Sequence, residues 1–405
     1  MELLIYLILF LLVLIVSSTT NKLLPFLPLP LVQILLGIVI GLFLPNTDFH
    51  LNTELFLALV IGPLLFRESE EADITAILKH WRIIVYLIFP VIFISTLSLG
   101  GLAHLLWLSL PLAACLAVGA ALGPTDLVAF ASLSERFSFP KRVSNILKGE
   151  GLLNDASGLV AFQVALTAWT TGAFSLGQAS SSLIFSILGG FLIGFLTAMT
   201  NRFLHTFLLS VRATDIASEL LLELSLPLVT FFLAEEVHVS GIIAVVVAGI
   251  LKASRFKKIT LLEAQVDTVT ETVWHTVNFM LNGSVFVILG MELEMIAEPI
   301  LTNPIYNPLL LLVSLIVLTF VLFAIRFVMI YGYYAYRTRR LKKKLNKYMK
   351  DMLLLTFSGV KGTVSIATIL LIPSNLEQEY PLLLFLVAGV TLVSFLTGLL
   401  VLPYL

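Results

Sequence analysis

The sequence predicts an all-α integral membrane protein with 13 transmembrane helices. Of its 405 residues, 59% are hydrophobic and only 12% are charged, and the mean hydropathy is +1.05. Soluble domains carry about 25% charged residues, so the composition excludes an ordinary soluble enzyme or binding module. Apolar runs of the length that crosses a bilayer as a helix recur along the whole chain.

The predicted spans are separated by polar connections. They cover residues 3–19, 24–44, 51–66, 82–107, 111–133, 146–170, 182–205, 216–235, 238–252, 271–291, 308–336, 351–372 and 381–402. The first run has no basic segment before it and no small-residue cleavage site, which indicates a span and not a removed signal peptide. The single cysteine, Cys115, excludes an intrachain disulfide and is typical of small apolar packing.

The distribution of charge predicts the orientation of these spans. All but two of the 24 Lys and Arg residues lie in connections that follow odd-numbered spans, or in the span ends that border those connections. Connections after even-numbered spans carry acids instead: Asp48, Glu235, Glu236, Glu292, Glu294, Glu298, Glu377 and Glu379. Because cytoplasmic loops are enriched in Lys and Arg, we expect an outside N-terminus and a cytoplasmic C-terminus in the cell membrane.

The two remaining cations lie inside spans. Arg326 of span eleven is close to the inner boundary, so the sequence favours a side chain that extends to the interface. Lys361 of span twelve has apolar sequence on both sides and cannot reach the interface in that way.

Two spans contain residues that interrupt a helix. Pro124 in span five removes a backbone donor and disfavours helix at Gly123, while Gly359 and Gly362 interrupt span twelve. Non-helical backbone persists at membrane depth only where protein buries it or it lines a cavity. Interrupted spans in equivalent positions predict an inverted repeat, spans one to six echoed by eight to thirteen, with crossed broken helices at a transport site.

Asp155 of span six is the principal candidate for the group that binds a transported ion. A carboxylate at the centre of a membrane helix costs about 2.5–3.5 kcal/mol, so its default interpretation is functional, although it could serve only to pair a neighbouring helix. Burial favours the protonated carboxyl, which could exchange its proton near neutral pH. A hard cation could replace that proton with oxygen ligands from Asp155, Asn154, Thr125 and water.

Other charges near the breaks have predicted structural roles. Asp126 can neutralise the positive ends of the half-helices and is also a candidate ion-binding residue beside Thr125, and Lys361 can neutralise the negative ends. Lys361 could instead pair with Glu150 of span six, which would also leave it charged and structural. Neither role requires a cofactor, and none is expected.

Three acids form a candidate cation funnel. Asp215, Glu219 and Glu223 follow one another at helical spacing and lead into span eight from the predicted cytoplasmic side. They could concentrate cations at the entrance, or they could form a solvated helix face.

Residues 149–155, Gly-Glu-Gly-Leu-Leu-Asn-Asp, resemble the Gly-Glu-Ser-Leu-Leu-Asn-Asp signature of monovalent cation/proton antiporters of the sodium/proton exchanger type. Other stretches match the same family in order: 62–66 (Gly-Pro-Leu-Leu-Phe), 125–126 (Thr-Asp), 240–249, 281–286 and 359–365. The last resembles the family's Gly-Leu-Arg-Gly-Ala-Val-Ser segment.

The resemblance implies a thirteen-helix homodimer that works by elevator-like movement of a core domain. The core would comprise helices at about 82–170 and 308–402, and the scaffold those at about 3–66 and 182–291. The Asn-Asp pair implies electroneutral one-for-one exchange, with Asp155 alternately protonated and cation-bound.

Four positions depart from the family pattern: Gly151 replaces Ser, Arg67 replaces Glu, Leu127 replaces Pro and Lys361 replaces Arg. The expected function is Na⁺ (or Li⁺)/H⁺ exchange with Na⁺ held by Asp155, Asn154 and Thr125, and K⁺/H⁺ exchange is the alternative. A cation channel is a weaker alternative, and the chain lacks the motifs of an intramembrane hydrolase, so no enzyme activity is expected. Restoring Ser at Gly151 is expected to tighten Na⁺ affinity.

Overall fold

The computed structural model describes residues 2–24, 27–43, 53–134, 137–172, 176–211, 215–253, 261–302, 306–340, 342, 345–372 and 379–405. Within these ranges the chain is helical and contains no strand. The side chains of some helical residues, Asp155 and Glu263 among them, lie outside the described part.

The α-helices follow one another with short connections. In chain order they are α1 (Glu2–Leu23), α2 (Leu29–Phe43), α3 (Thr53–Phe56), α4 (Gly62–Glu70), α5 (Ile74–Lys79), α6 (Trp81–Tyr86), α7 (Ile92–Leu106), α8 (Leu112–Ala121), α9 (Leu127–Ser134), α10 (Lys141–Thr171), α11 (Leu176–Ser210), α12 (Ile216–Glu236), α13 (Gly241–Ala253), α14 (Leu261–Thr302), α15 (Pro308–Arg340), α16 (Met349–Phe357), α17 (Thr363–Ile369) and α18 (Tyr380–Val401). Two π-helical turns, Leu57–Ile61 and Leu87–Val91, join α3 to α4 and α6 to α7.

Each predicted span coincides with helical structure. Six described stretches are long and apolar enough to cross a membrane, and four shorter apolar helices accompany them. The two spans predicted to be interrupted split at non-helical backbone, into α8 and α9 and into α16 and α17. The sequence did not predict α5 or the π-helical turn around Pro90, and α14 is longer than its predicted span.

The chain divides into two compact units. The first comprises residues 1–49, 75–174 and 283–405 and contains both broken spans. In it α8, with most of its small residues buried, packs against α7, α10, α17 and α18. A Cβ on Gly119 would overlap the carbonyl of Thr96, so only glycine permits α7 and α8 to cross this closely.

The second unit comprises residues 50–74 and 175–282. Its central helix is α13, which packs against α4, α11 and α12. Close contacts of this helix again depend on glycine, because a Cβ on Gly194 of α11 would overlap the carbonyl of Ala244. Both predicted core ranges lie in the first unit, and the division of labour between a moving core and a scaffold stays a prediction.

Candidate functional site

The first break lies between α8 and α9. Helix α8 ends at Ala121, and α9 begins at Leu127. The carbonyls of Gly123 and Pro124 therefore lie outside both helices and accept no hydrogen bond from a following helical turn. The ammonium group of Lys361 donates to both carbonyl oxygens, at 2.7 and 2.6 Å. Lys361 is 2% exposed, so its positive charge is buried against the negative end of α8.

The second break lies between α16 and α17, at residues 358–362, and it meets the first. The backbone N–H of Asp126 donates to the carbonyl of Val360 at 3.1 Å. One carboxylate oxygen of Asp126 accepts from the N–H of Ala129 in the first turn of α9, at 2.9 Å. A Cβ on Gly362, the residue before α17, would overlap the other oxygen. Asp126 therefore lies at the N-terminal ends of both half-helices, where its charge is favoured.

These positions match the structural roles expected for Asp126 and Lys361, but the predicted partner of Glu150 is wrong. The Glu150 carboxylate receives two parallel hydrogen bonds from the Arg326 guanidinium, at 2.6 and 2.8 Å. Arg326 is 4% exposed and also donates from Nε to the carbonyl of Leu355 at 2.9 Å. The prediction that Arg326 extends to the interface is therefore wrong as well.

Glycine makes the position of Arg326 possible. A Cβ on Gly359, in the second break, would overlap the guanidinium nitrogen of Arg326. The guanidinium thus lies directly over the broken backbone and joins it to Glu150 of α10. The sequence held one signal for this role, because Arg326 has apolar neighbours on both sides within its span.

Helix α10 passes the first break at close range. Gly151 faces Leu127, and Gly158 faces Pro124, with a Cβ at either glycine overlapping the facing side chain. Asn154 lies between the two glycines and is fully buried. Helical spacing therefore aligns one face of α10 with the broken backbone.

Asn154 and Thr125 form a directed hydrogen-bond chain. The Thr125 hydroxyl donates to Glu150 at 3.2 Å, and the Asn154 amide nitrogen donates to the Thr125 hydroxyl and carbonyl oxygens at 2.7 and 3.1 Å. Because a carbonyl can only accept, the amide nitrogen must face Thr125. The amide oxygen Oδ1 of Asn154 is left buried with no donor among the described residues.

An unsatisfied buried acceptor is uncommon, since it loses its hydration without gaining a partner. The Arg326–Glu150–Thr125 chain holds Asn154 so that Oδ1 is available to a cation, a water molecule or an acidic proton. Asp155 is the next residue of α10, but its side chain lies outside the described part. Of the predicted Na⁺ ligands, the structure therefore brings together Thr125 and Asn154, and the Asp155 ligand stays a prediction.

The three funnel candidates occupy different environments in the second unit. Asp215 caps α12 by accepting from the Ser218 backbone N–H at 2.8 Å, and hydrogen bonds from Ser218 lower the pKa of its carboxyl. Glu219 lies 3.3 Å from the ring of His205.

Glu223 lies 2.8 Å from the ammonium group of Lys252, which sequence analysis did not single out. Its other oxygen accepts from the indole nitrogen of Trp274 at 2.9 Å. A carboxylate with a cation beside it projects less negative field than a bare one, so this pairing weakens the funnel interpretation.

Comparisons with known proteins agree with this architecture. The family model described as "Sodium/hydrogen exchanger, transmembrane" matches residues 7–405. The solved structure of a sodium proton antiporter from Methanocaldococcus jannaschii aligns over 100% of this chain and 96% of its own, with a TM-score of 0.68 and 20% identity. This likeness confirms the all-α membrane fold.

Curated relatives extend the match. A sodium, potassium, lithium and rubidium/H⁺ antiporter of Bacillus pumilus is 36% identical over 98% of this chain and 60% of its own length. Its counterpart in Bacillus subtilis is 36% identical over 96% of this chain and 59% of its own length, so the chain spans about 60% of these relatives. An uncharacterised Na⁺/H⁺ exchanger of Escherichia coli is 31% identical over 100% of this chain and 76% of its own length. The extent of these matches confirms the resemblance, and the chain belongs to the sodium/hydrogen exchanger family of transmembrane proteins.

Proposed function

We propose that this chain exchanges a monovalent alkali cation, with Na⁺ or Li⁺ expected first, for a proton across the cell membrane. The observation that carries the proposal is the buried, unsatisfied amide oxygen of Asn154. This residue directly precedes Asp155, and Thr125 of the first break holds its amide nitrogen. An oxygen held in this way suits a hard cation, which prefers carboxylate, carbonyl and water oxygens.

In the proposed cycle Asp155 holds either a proton or a cation. The cation form uses Asn154 Oδ1 and oxygens of Thr125 as neutral ligands, while the proton form leaves them to water. Lys361 and Asp126 bind the ends of the broken helices, and the Glu150–Arg326 pair positions Thr125, so in this proposal Asp155 alone is the exchanging group. A single exchanging carboxylate supports electroneutral one-for-one exchange.

The names of the Bacillus relatives support alkali cation/proton antiport, and they also include K⁺ and Rb⁺. K⁺/H⁺ exchange by the same mechanism is therefore the second candidate. We further propose, from charge distribution and family resemblance, a homodimer with an elevator-like core, an outside N-terminus and a cytoplasmic C-terminus.

Transport by purified protein in proteoliposomes tests the proposal. Na⁺ or Li⁺ should dissipate an acid-inside pH gradient reported by a pH-sensitive dye, at a rate that clamping the membrane potential leaves unchanged. Asp155→Asn should abolish the response, and Asn154→Ala should raise the apparent KM about tenfold, the equivalent of one ligand worth roughly 1.4 kcal/mol.

A matched control is Asp351→Asn, the same chemical change at a partly exposed carboxylate that pairs with Arg142. This variant should transport like the parent protein. Retained exchange in Asp155→Asn would refute the mechanism, and cation flux without proton movement would indicate a channel.

A further inference from the structure

Two of the positions that depart from the family pattern lie in contact. Gly151 of α10 has no side chain, and a Cβ there would overlap Cγ of Leu127 and lie 3.0 and 3.1 Å from its two methyl carbons. Leu127 begins α9, directly after the Thr125-Asp126 pair of the first break. Its side chain thus occupies the space that a side chain from position 151 would need.

This contact lies next to the proposed ion site. Positions 151 and 155 are one helical turn apart and share a face of α10. Leu127 is two residues from Thr125, whose oxygens bind Asn154. The Leu127 methyl groups therefore form an apolar wall against α10, one helical turn before Asp155.

An apolar wall in this place limits the oxygen ligands available to a cation. Glycine at 151 supplies no side-chain oxygen, and leucine at 127 supplies only carbon. Small cations are more costly to dehydrate than large ones, so they depend more on the number and closeness of the oxygens that replace water. Loss of one oxygen should therefore weaken binding of Li⁺ and Na⁺ more than binding of K⁺ and Rb⁺.

We propose that the Leu127–Gly151 contact is a selectivity element that reduces discrimination against large alkali cations, so that the site accepts K⁺ and Rb⁺ beside Na⁺. This inference rests on the proposed function. It also adds a condition to the expected gain in Na⁺ affinity of Gly151→Ser, because a serine at 151 would overlap Leu127 unless that side chain moved or were shortened.

The test compares four variants with the parent protein: Gly151→Ser, Leu127→Ala, Gly151→Ser/Leu127→Ala and Gly151→Ala/Leu127→Ala. The last is a matched control, since it differs from the serine double variant only by the hydroxyl group. Apparent affinities for Na⁺, K⁺ and Rb⁺ are measured in proteoliposomes, with thermal unfolding of each purified protein measured in parallel.

Gly151→Ser alone should unfold at a lower temperature than the parent, and Leu127→Ala in the same chain should restore the loss. The serine double variant should favour Na⁺ over K⁺ about 3- to 10-fold more than the alanine double variant, the effect of one neutral oxygen contact.

Two results would overturn the inference: equal Na⁺/K⁺ ratios in the two double variants, or a Gly151→Ser protein as stable as the parent. Failure of the proposed function is distinguishable, because the parent protein would then exchange none of these cations for protons.

Discussion

Ion pairs lie in both compact units, fully buried at Glu150–Arg326 in the first and partly buried in the second, and the charges of the two units bind different partners. In the first unit, Lys361 binds carbonyls of one broken helix, and Arg326 joins Glu150 to the other break. In the second unit, Lys252 lies 3.3 Å from Glu70 and 2.8 Å from Glu223. These three charges, with Phe66 and Trp274, form what we call the aromatic ion-pair cluster.

The helices of the aromatic ion-pair cluster are continuous at the contact. Lys252 lies over the ring of Phe66 at 5.5 Å, Trp274 donates to Glu223, and the two rings stack at 6.2 Å. Arg67, which replaces the Glu of the family pattern, lies over Trp274 at 5.9 Å and bonds Glu70 at 2.9 Å. The charges of this cluster join side chains of neighbouring helices, whereas those of the first unit bind the ends of broken helices.

The difference indicates which charges can be removed. A pair that binds only itself can be replaced by apolar groups with little loss, whereas a charge that satisfies broken backbone leaves orphaned polar groups behind. The Arg326–Glu150 pair of the first unit has a second effect. Through Thr125 it holds the amide nitrogen of Asn154, which leaves Oδ1 of the same amide without a donor among the described residues.

The largest expected effect is that of Glu150→Gln. This change leaves the Arg326 guanidinium buried without its counter-ion, which costs about 3–5 kcal/mol. We expect a large fall in thermal stability, and the double variant Glu150→Gln/Arg326→Gln should recover only part of it, because Leu355 O and the second break lose their donor. If Glu150→Gln unfolded at the same temperature as the parent protein, the Glu150–Arg326 pair would not contribute to stability.

The spans and both breaks could be predicted from sequence because they depend on local composition: apolar run length, Pro124 and the glycines beside Lys361. The partner of Glu150 could not. The depth of Arg326 in its span can be read from the sequence, but the rotation of α15 that turns its side chain towards α10 cannot. Its partner Glu150 lies 176 positions away in the chain.

Contacts that join distant segments were missed for the same reason. Lys252 and Glu70 are far apart in sequence, and their pairing depends on how α13 packs against α4. The contact of Leu127 with Gly151 joins two departures that lie in different predicted spans. The candidate ion ligands could be predicted because acids and amides are costly at membrane depth, and that chemistry is visible in the sequence.

An intermediate effect is expected in the aromatic ion-pair cluster. Lys252→Met removes the cation shared by Glu70 and Glu223 and should cost about 1–3 kcal/mol. Adding Glu223→Gln should restore most of the stability, in contrast to the incomplete recovery at Glu150 and Arg326. Thermal unfolding of the single and double variants measures both differences.

Transport by the same variants decides between a structural pair and a cation funnel. If the cluster is structural, the double variant should keep the parent's apparent KM for Na⁺ at both low and high ionic strength. A raised KM at low ionic strength alone would restore the funnel interpretation, because screening weakens long-range attraction of cations.

The smallest expected effect concerns a third group of charges, outside the spans, in which cations crowd a histidine. Burial and the positive charges of Arg142, Lys79 and Arg337 lower the pKa of His80 from its ordinary value of 6.5. The folded protein therefore binds this proton less readily than the unfolded chain. Neutral His80 costs the fold nothing above about pH 6.5, and the free energy of unfolding falls as the pH drops from that value through the lower pKa of the folded state. His80→Gln should remove this contribution and flatten the dependence of the unfolding temperature on pH between 8 and 5. Parallel curves for the variant and the parent would mean that His80 has the same pKa in the folded and unfolded states, and that its cationic neighbours do not affect stability in this pH range.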